Sequence, residues 1–286
     1  VFMTSRLITA FVASFTLRLS VRLSVLLSVF GVSNIVSAQD TAAFASFVEL
    51  PWRYVIGGYA NGQWFDSEDT GKLLTTTTAY RVFTLDAEVE QISGAPAAPD
   101  ADVCPDVMMQ TLTPTPDPEQ LAIGVHATWN PLPRKAQLVN AEEAAYQHAI
   151  TELLASNGIN KATPGSTQVL SIDLDDDGNA EELITATHYV HQDELLTVEP
   201  GDYSVVFLQR VVNGQRQMQV LSGEFYPEKL EDAAPSIHKI TGVLDLNGDG
   251  ELEVLVNSSY YEGGSLKVWQ LQQDKLVGVL AIECGV

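Results

Sequence analysis

Two short acidic segments in the carboxyl-terminal half of the chain share one spacing of oxygen-bearing residues. The first, DLDDDGNAEELI, starts at Asp173, and the second, DLNGDGELEVLV, starts at Asp245. Numbered from these aspartates, both carry Asp or Asn at positions 1, 3 and 5, glycine at position 6 and glutamate at position 9. Alternate oxygen-bearing residues on a curling backbone point toward a common centre, and glycine permits the sharp bend. The spacing therefore predicts two sites for a hard cation.

The crowding of like charge in these turns has an electrostatic cost. Two carboxylates about 4 Å apart repel by roughly 4 kcal/mol at an effective dielectric constant of about 20, and a divalent ion among them would offset that repulsion. Oxygen ligands without histidine or cysteine favour calcium, and magnesium less so. An Asp-Gly hairpin turn without metal is the alternative. Because the first turn offers four carboxylates and the second three plus an amide, we expect tighter binding at the first.

The spacing differs from that of an EF-hand. An EF-hand loop requires a bidentate glutamate at position 12 and flanking helices, but position 12 here is Ile184 or Val256, within β-rich runs. The two turns instead resemble the D-x-[DN]-x-[DN]-G-x-x-[DE] calcium turns of FG-GAP and VCBS repeats, which also occur in integrin α-chain propellers. The resemblance covers residues 167–262, with about twelve residues per turn and the flanking strands. The whole layout looks like that of secreted bacterial proteins of uncharacterised function that carry such turns.

The resemblance implies two bound Ca²⁺ ions and a defined set of ligands for each. Side-chain oxygens are implied at positions 1, 3, 5 and 9, and a backbone carbonyl at position 7. The implied ligands are Asp173, Asp175, Asp177, Asn179 and Glu181 in the first turn, and Asp245, Asn247, Asp249, Glu251 and Glu253 in the second.

The sequence around the acidic turns has strand character. From Thr167 onward, eight short β-rich runs are separated by Gly, Asn or Asp turns, and they fall into two sets of four. Each set consists of a strand, an acidic turn, a strand and a second hairpin through VNGQ or QQDK, which indicates an internal duplication. The first set carries about ten extra residues, HQDELLTVEPG, between its two hairpins.

We therefore expect a mainly β protein (α+β overall) with two duplicated four-stranded antiparallel units, preceded by a small β-hairpin region and one amphipathic helix. The turn Asn61-Gly62 between apolar runs predicts the hairpin. The helix is predicted to start at the cap Asn140, with Glu143 as its capping-box partner, to stop at Gly158 and to pack on a sheet. Its apolar stripe consists of Tyr146, Ala149, Ile150, Leu153 and Leu154.

Five segments are predicted along the chain. They are a signal peptide, an N-terminal β-hairpin region, a proline-rich connector, a helix-containing segment and the duplicated calcium-binding β domain. The connector holds six of the thirteen prolines, which remove backbone donors and disfavour helix before them. In the same order, the bounds of the segments are 1–38, 39–92, 93–120, 121–164 and 165–286.

The first 38 residues have the features of a secretory signal peptide. They include Arg6, Arg18 and Arg22 but no acidic residue, and an apolar run of about fourteen residues ends in a small-x-small sequence before Gln39. A membrane anchor is the alternative, although a spanning helix needs about twenty residues. We therefore expect a secreted or periplasmic protein with no membrane span in the mature chain.

The charge of the chain limits the classes of binding partner, and its cysteine content indicates the redox compartment. The formal charge is −22, and loss of the signal peptide would leave twelve Lys and Arg against 37 Asp and Glu, or −25. Such a field repels phosphate backbones, which excludes nucleic acid as a partner. The two cysteines, Cys104 and Cys284, are expected to form a disulfide in an oxidising compartment, with buried free thiols as the alternative.

The sequence predicts no catalytic residue, because H-E-x-x-H, G-x-S-x-G and phosphate-cradling glycine motifs are absent from it. We expect a binding or surface-associated module with structural calcium ions and a protein or glycan ligand. An exported hydrolase with an acidic and aromatic site near the 191–201 loop is the alternative. His188 and His191 suggest zinc, but their i, i+3 spacing on a strand aims them to opposite faces. Glu262 beside two tyrosines fits either a sugar site or a plain hairpin turn.

Overall fold

The structure is a computed structural model, and it describes residues 44–161, 165–191 and 196–285. The predicted signal peptide, residues 1–38, lies outside the described residues. Within them the chain is mainly β, with antiparallel strand pairing throughout and two helices. This confirms the predicted fold class.

The secondary structure elements follow one another along the chain with few helical interruptions. The helices are α1 (Ser67–Leu73) and α2 (Ala144–Ser156). The strands are β1 (Ala45–Leu50), β2 (Val55–Ala60), β3 (Gln63–Phe65), β4 (Thr78–Phe83), β5 (Glu88–Gly94), β6 (Ala98–Pro99), β7 (Met108–Met109), β8 (Leu112–Thr113), β9 (Ala122–His126), β10 (Gln137–Val139), β11 (Ser166–Ile172), β12 (Glu181–His188), β13 (Thr197–Val198), β14 (Asp202–Val212), β15 (Gln215–Tyr226), β16 (Leu230–Glu231), β17 (Ile237–Leu244), β18 (Glu253–Tyr260), β19 (Gly263–Gln272) and β20 (Lys275–Gly285).

Three sheets form the framework of the described protein. A seven-stranded sheet has the order β3-β2-β1-β9-β4-β5-β8, a five-stranded sheet the order β10-β11-β12-β14-β15, and a four-stranded sheet the order β17-β18-β19-β20. Two small ribbons pair β13 with β16 and β6 with β7. The seven-stranded sheet takes strands from three of the predicted segments, because β8 belongs to the proline-rich connector and β9 to the segment that follows it.

The two predicted four-stranded units are both present. All eight predicted β-rich runs form strands, and β11-β12-β14-β15 corresponds in order to β17-β18-β19-β20. Ile172 pairs with Glu181 across the first acidic turn, and Leu244 pairs with Glu253 across the second. Both turns therefore close in the same register. Register matters here because a slip of one residue would move every side chain to the opposite face.

The predicted hairpin at Asn61-Gly62 is also present. It joins β2 to β3, with Ala60 paired to Gln63. Asn61 and Gly62 have φ angles of 53° and 77°, and two consecutive positive angles are what a two-residue turn of type I′ requires. Asn and Gly tolerate these angles better than other residues, which explains why this dipeptide closes the hairpin.

Helix α2 begins later than the capping box predicts. Its first residue is Ala144, with Glu143 as the N-cap, and the Glu143 side chain makes no capping hydrogen bond. Asn140 instead closes a separate turn after β10, since its Oδ1 accepts from the Glu142 backbone nitrogen at 3.1 Å. The predicted end is correct, because Gly158 follows the helix with φ of 88°.

The apolar stripe of α2 packs on the five-stranded sheet, as predicted. Ala149, Ile150, Leu153 and Leu154 are buried, and Tyr146 is partly buried against the same cluster. The residues of the sheet that meet them are Val169, Ile184, Ala186, Tyr203, Val205 and Phe207. Burying a side chain of this size contributes about 1.5–3 kcal/mol, so the helix is held mainly by packing.

The four-stranded sheet contributes to two hydrophobic clusters. In one, Leu255, Val268 and Leu280 pack with Phe47 and Ile123 of the seven-stranded sheet. In the other, its residues pack with those of the five-stranded sheet, and the members are Leu170, Ile172, Leu174, Leu183, Val206, Leu208, Leu221, Ile240, Val243, Leu252, Val254, Val256, Leu271 and Leu276. The acidic turns thus lie at the ends of strands that are fixed by two cores.

Cys104 and Cys284 form a disulfide, as predicted, and the thiol alternative is excluded. The bond links the loop before β7 to β20 across a sequence separation of 180 residues. Closing a loop of this size restricts the unfolded chain and contributes about 5 kcal/mol on the chain-entropy model. Neither of the two described helices, of seven and thirteen residues, is long and apolar enough to cross a bilayer.

Candidate metal centre

In both acidic turns the aspartate at position 1 accepts hydrogen bonds from the turn backbone, and the bond from the glycine at position 6 is common to both. In the first, the Asp173 carboxylate accepts from the backbone nitrogens of Asp177 and Gly178 at 3.2 and 3.0 Å. In the second, the Asp245 carboxylate accepts from Gly248 and Gly250 at 2.6 and 3.2 Å. Each aspartate therefore holds the backbone of its own turn in a curled conformation.

The correspondence continues at position 5. Asp177 Oδ1 accepts from the Asn179 nitrogen at 2.7 Å, and Asp249 Oδ1 accepts from the Glu251 nitrogen at 2.8 Å. Each of these aspartates thus fixes the backbone at position 7, the residue whose carbonyl is the implied ligand.

Position 9 also has the same role in both turns. Glu181 Oε2 accepts from the Leu174 nitrogen at 3.0 Å, and Glu253 Oε2 accepts from the Leu246 nitrogen at 2.8 Å. The leucines at position 2 are fully buried, so each glutamate ties the end of the turn to the core. At positions 5 and 9, the duplication that the sequence predicts therefore extends to individual atoms.

The glycine at position 6 is required by backbone conformation. Gly178 and Gly250 have φ angles of 87° and 91°, in the region that residues with a Cβ rarely adopt. A Cβ at either position would meet no atom within 4 Å, so space is not the constraint. The sharp bend alone selects glycine here.

The carboxylates of the first turn converge. Asp173, Asp175 and Asp177 each offer an oxygen, and these oxygens lie within 4.8 Å of one another, close enough to hold a metal ion. Calcium binds oxygen at 2.3–2.6 Å, so two ligand oxygens on one ion lie at most about 5 Å apart. In the described part of the chain, this is the one group of three acidic, histidine or cysteine ligands that converges so closely.

The second turn has a different charge arrangement because position 3 is an amide. Asn247 Nδ2 donates to Asp249 Oδ2 at 2.7 Å, and Asn247 Oδ1 accepts from the Asp249 nitrogen at 2.9 Å. The amide and the carboxylate therefore attract each other where the first turn has two carboxylates. This turn is also more buried, since Asp245, Asn247 and Glu253 are all buried.

Each turn leaves one buried carboxylate oxygen without a hydrogen bond. These oxygens are Asp175 Oδ1 in the first turn and Glu253 Oε1 in the second. A buried polar atom without a partner costs about 1–3 kcal/mol, and more when it is charged. A cation bound in each turn would give the unpaired oxygen of that turn a partner. The residues present therefore fit a hard metal ion.

Burial changes the acidity of several of these groups. It raises the pKa of Glu253 well above its usual range, and it also raises the pKa values of Glu181 and Asp245. The pKa of Asp177 is lowered, because its exposed carboxylate accepts hydrogen bonds from the backbone and side chain of Asn179. Desolvation thus destabilises the charged form of the glutamate at position 9 in both turns, most strongly at Glu253.

Arg210 of β14 is a basic neighbour that sequence reasoning missed. Its Nη2 lies 3.4 Å from Asp175 Oδ2 and 3.6 Å from Glu181 Oε1, and the residue is buried. The contact depends on the pairing of β14 with β12, a tertiary feature that no local spacing encodes. Arg210 offsets part of the negative charge of the first turn.

Arg134 joins the two turns and was also missed. Its Nε donates to the Asp173 carbonyl at 2.8 Å, and its Nη2 donates to the carbonyls of Leu174 and Gly250 at 3.1 and 2.8 Å. The turns also meet directly, because the Leu252 nitrogen donates to the Leu174 carbonyl at 2.8 Å. The two turns are therefore neighbours in space, although 72 residues separate them in the sequence.

The segment that carries Arg134 also holds the second turn. Trp129 Nε1 donates to the Asp245 carbonyl at 2.9 Å, and the Asp245 nitrogen donates to the Pro131 carbonyl at 2.8 Å. The Trp129 ring packs so closely on Gly248 that a Cβ there would lie 3.0 Å from it. We refer to residues 129–134, the sequence WNPLPR, as the turn clamp.

The other residues singled out in the sequence do not form a metal site among the described residues. His188 Nε2 lies 4.0 Å from Asp202 Oδ1, and His191 Nε2 lies 3.4 Å from Glu199 Oε1, so the histidines face different carboxylates. Residues 192–195 of the same loop lie outside the described residues. Glu262 lies at the exposed turn between β18 and β19.

Comparison of the chain with protein-family models, curated protein sequences and solved structures finds no match.

The turn clamp leads to a prediction about stability. Replacing Arg134 with Met removes three partly buried hydrogen bonds from a charged donor to the two turns, and we expect the free energy of unfolding to fall by about 3 kcal/mol. Urea unfolding monitored by circular dichroism measures this loss. The adjacent exposed Lys135 is the control, since Lys135→Met removes the same charge and should change stability by less than about 0.5 kcal/mol. Equal effects of the two substitutions would contradict the role assigned to Arg134.

Proposed function

We propose that this chain is an extracytoplasmic calcium-binding protein in which each acidic turn holds one structural Ca²⁺ ion. The observation that carries the proposal is the repeated carboxylate arrangement, in which each turn retains one buried oxygen without a partner, Asp175 Oδ1 or Glu253 Oε1. Two turns with the same register and with matching hydrogen bonds at positions 5 and 9 are difficult to explain as ordinary hairpin closures. A shared requirement for a cation explains both.

The proposed ligands are the ten residues implied by the resemblance to FG-GAP and VCBS turns, and with them we propose membership in that group. The chemistry of the ligand set supports calcium, because it consists only of carboxylate, amide and carbonyl oxygens. Zinc would favour histidine or cysteine, and magnesium demands a stricter octahedral geometry. A turn that offers several protein oxygens suits the larger ion, whose coordination geometry is less strict.

The position of the turns supports a structural role for the ions. Each turn closes a hairpin whose strands are largely buried, and the turn clamp donates hydrogen bonds to both turns. Neutralising the carboxylates would therefore stabilise a junction between sheets, and at extracellular calcium levels the effect follows from mass action. The disulfide is consistent with an extracytoplasmic location, and we propose that residues 1–38 direct export.

A binding or surface-associated module is the activity we propose for the folded protein, with a protein or glycan as its ligand. The hydrolase alternative placed an acidic site near residues 191–201. There Asp202 is fully buried, and its carboxylate accepts from the backbone nitrogens of Val190 and Glu199, both at 2.9 Å. This aspartate holds the two ends of the loop together, which favours a structural reading of the acidic residues there.

Thermal unfolding tests the proposal. Saturation of two sites at about a hundredfold above Kd would add about 5 kcal/mol, which corresponds to a rise in Tm of about 10–20 °C for a domain of this size. We expect this rise with calcium, little of it with magnesium, and its reversal by EDTA. The double variant Asp173→Asn, Asp245→Asn is the control and should not respond. An unchanged Tm in calcium and in EDTA would refute the proposal.

Arg210 generates a second test. By carboxylate count the first turn should bind calcium more tightly, but the guanidinium 3.4 Å from Asp175 opposes a divalent ion. We expect Arg210→Met to raise the calcium affinity of the first site by about tenfold, measured by titration calorimetry. The exposed Lys239→Met removes the same charge away from the turn and serves as the control. A loss of affinity in Arg210→Met would mean that the arginine supports the ion.

A further inference from the structure

A cavity of about 380 Å³ lies away from the acidic turns, between the seven-stranded and four-stranded sheets. One wall comes from the end of β1 and the loop that follows it, and the other comes from β18, β19 and the end of β20. None of the lining residues belongs to the proposed calcium ligands. The volume falls within the range of small-molecule sites, about 300–1,000 Å³.

The cavity is fixed by the disulfide. Cys284 lines it, and Tyr54 Oη lies 3.2 Å from the Cys284 sulfur. The same hydroxyl donates to Asp100 Oδ2 at 3.0 Å, so the position of this ring is set from two sides. A pre-formed wall of this kind reduces the conformational entropy that the protein side chains would otherwise lose when a ligand binds.

Four aromatic residues line the cavity: Trp52, Tyr54, Tyr260 and Tyr261. Trp52 is 60% exposed and Tyr261 is 58% exposed, and both line the same cavity. Grouped exposed apolar side chains indicate a binding site, whereas single ones scattered over a surface do not. The rings of Tyr260 and Tyr261 lie 5.9 Å apart at an angle of 83°. Two perpendicular rings form adjacent walls, an arrangement that suits a compact group held on several sides.

The charged groups that line the cavity are all acidic. They are Glu49, Glu262 and Glu283, and no Lys, Arg or His is among the lining residues. Glu49 is the deepest of them, being only 5% exposed, and its Oε1 accepts from Asn257 Nδ2 at 3.0 Å. Burial raises the pKa of Glu49 to about 7, against which the Asn257 hydrogen bond acts. A buried carboxyl of this kind is better stabilised when a positive charge lies beside it.

We propose that this cavity binds a small organic cation, an ammonium group that carries apolar substituents. Such a cation is attracted to the faces of aromatic rings, more strongly when it is desolvated, and its charge is complementary to the three glutamates. An anion is excluded by the same glutamates and by the net charge of −22. A neutral sugar would use the aromatic residues and could donate hydroxyl hydrogen bonds to the glutamates, but it would gain no Coulombic attraction from their charge.

The proposal is tested with choline, on the full disulfide-bonded chain at saturating calcium. The comparison ligand is 3,3-dimethylbutan-1-ol, which has the shape of choline without its charge, and methyl glucoside represents the sugars. By titration calorimetry we expect one choline site and a Kd for the uncharged alcohol at least about tenfold higher. Equal binding of choline and the alcohol, tighter binding of the glucoside, or no binding of choline at millimolar concentration would each overturn the proposal.

Variants show whether the site is the one described. Glu49→Gln keeps the shape of the buried side chain and should weaken choline binding by about tenfold. Trp52→Ala and Glu262→Gln alter exposed residues, so the fold is expected to survive, and each should weaken binding several-fold. Glu231→Gln, at an exposed carboxyl outside the cavity, is the control and should leave Kd unchanged. Unchanged binding in both Trp52→Ala and Glu262→Gln would overturn the assignment to this cavity.

Discussion

In both acidic turns the glutamate at the ninth position accepts a hydrogen bond from the backbone nitrogen of the buried leucine at the second position. This contact draws a carboxylate into the interior, where Glu253 has no accessible surface. Bringing further carboxylates to the same point costs electrostatic energy that the turn itself cannot recover. The nearby arginines lower this electrostatic energy, and the proposed ions would lower it further.

The protein supplies part of the counter-charge from its own chain. Arg210 approaches the first turn from the neighbouring strand, and Arg134 reaches both turns from the turn clamp. Neither guanidinium satisfies Glu253 Oε1 or Asp175 Oδ1, which stay without hydrogen bonds. The arginines therefore reduce the repulsion but leave one buried carboxylate oxygen in each turn without a hydrogen bond, and the proposed calcium ions would satisfy these oxygens.

Much of the fold could be predicted because its signals are local. Eight strands follow from alternating apolar runs and turn residues, and the Asn61-Gly62 hairpin follows from the positive φ angles that this dipeptide accepts. The predicted start of α2 was wrong, because the Asn140 side chain closes a separate turn after β10 and the N-cap of the helix is Glu143. The capping-box pattern covers only four residues, so it contains no information about the strand that precedes them.

The candidate sites also combine features that the local sequence predicts with contacts that only the folded chain creates. The repeated spacing located both acidic turns, but nothing in it indicated that they are neighbours or that WNPLPR clamps them. Arg134 and Arg210 act through contacts at separations of 29 to 116 residues, so only the folded chain brings them to the acidic turns. The aromatic cavity is assembled from four distant segments, and the sequence showed only Glu262 and its two tyrosines as a hint of it.

The number of calcium ions retained per chain tests the central claim most directly. Elemental analysis of the purified protein at dialysis equilibrium with calcium at an extracellular level, about 1 mM, should give two bound ions above the dialysate for the natural chain. It should give one for Asp173→Asn and one for Asp245→Asn. A natural chain that retains no calcium, or variants that retain as much as the natural chain, would contradict the account.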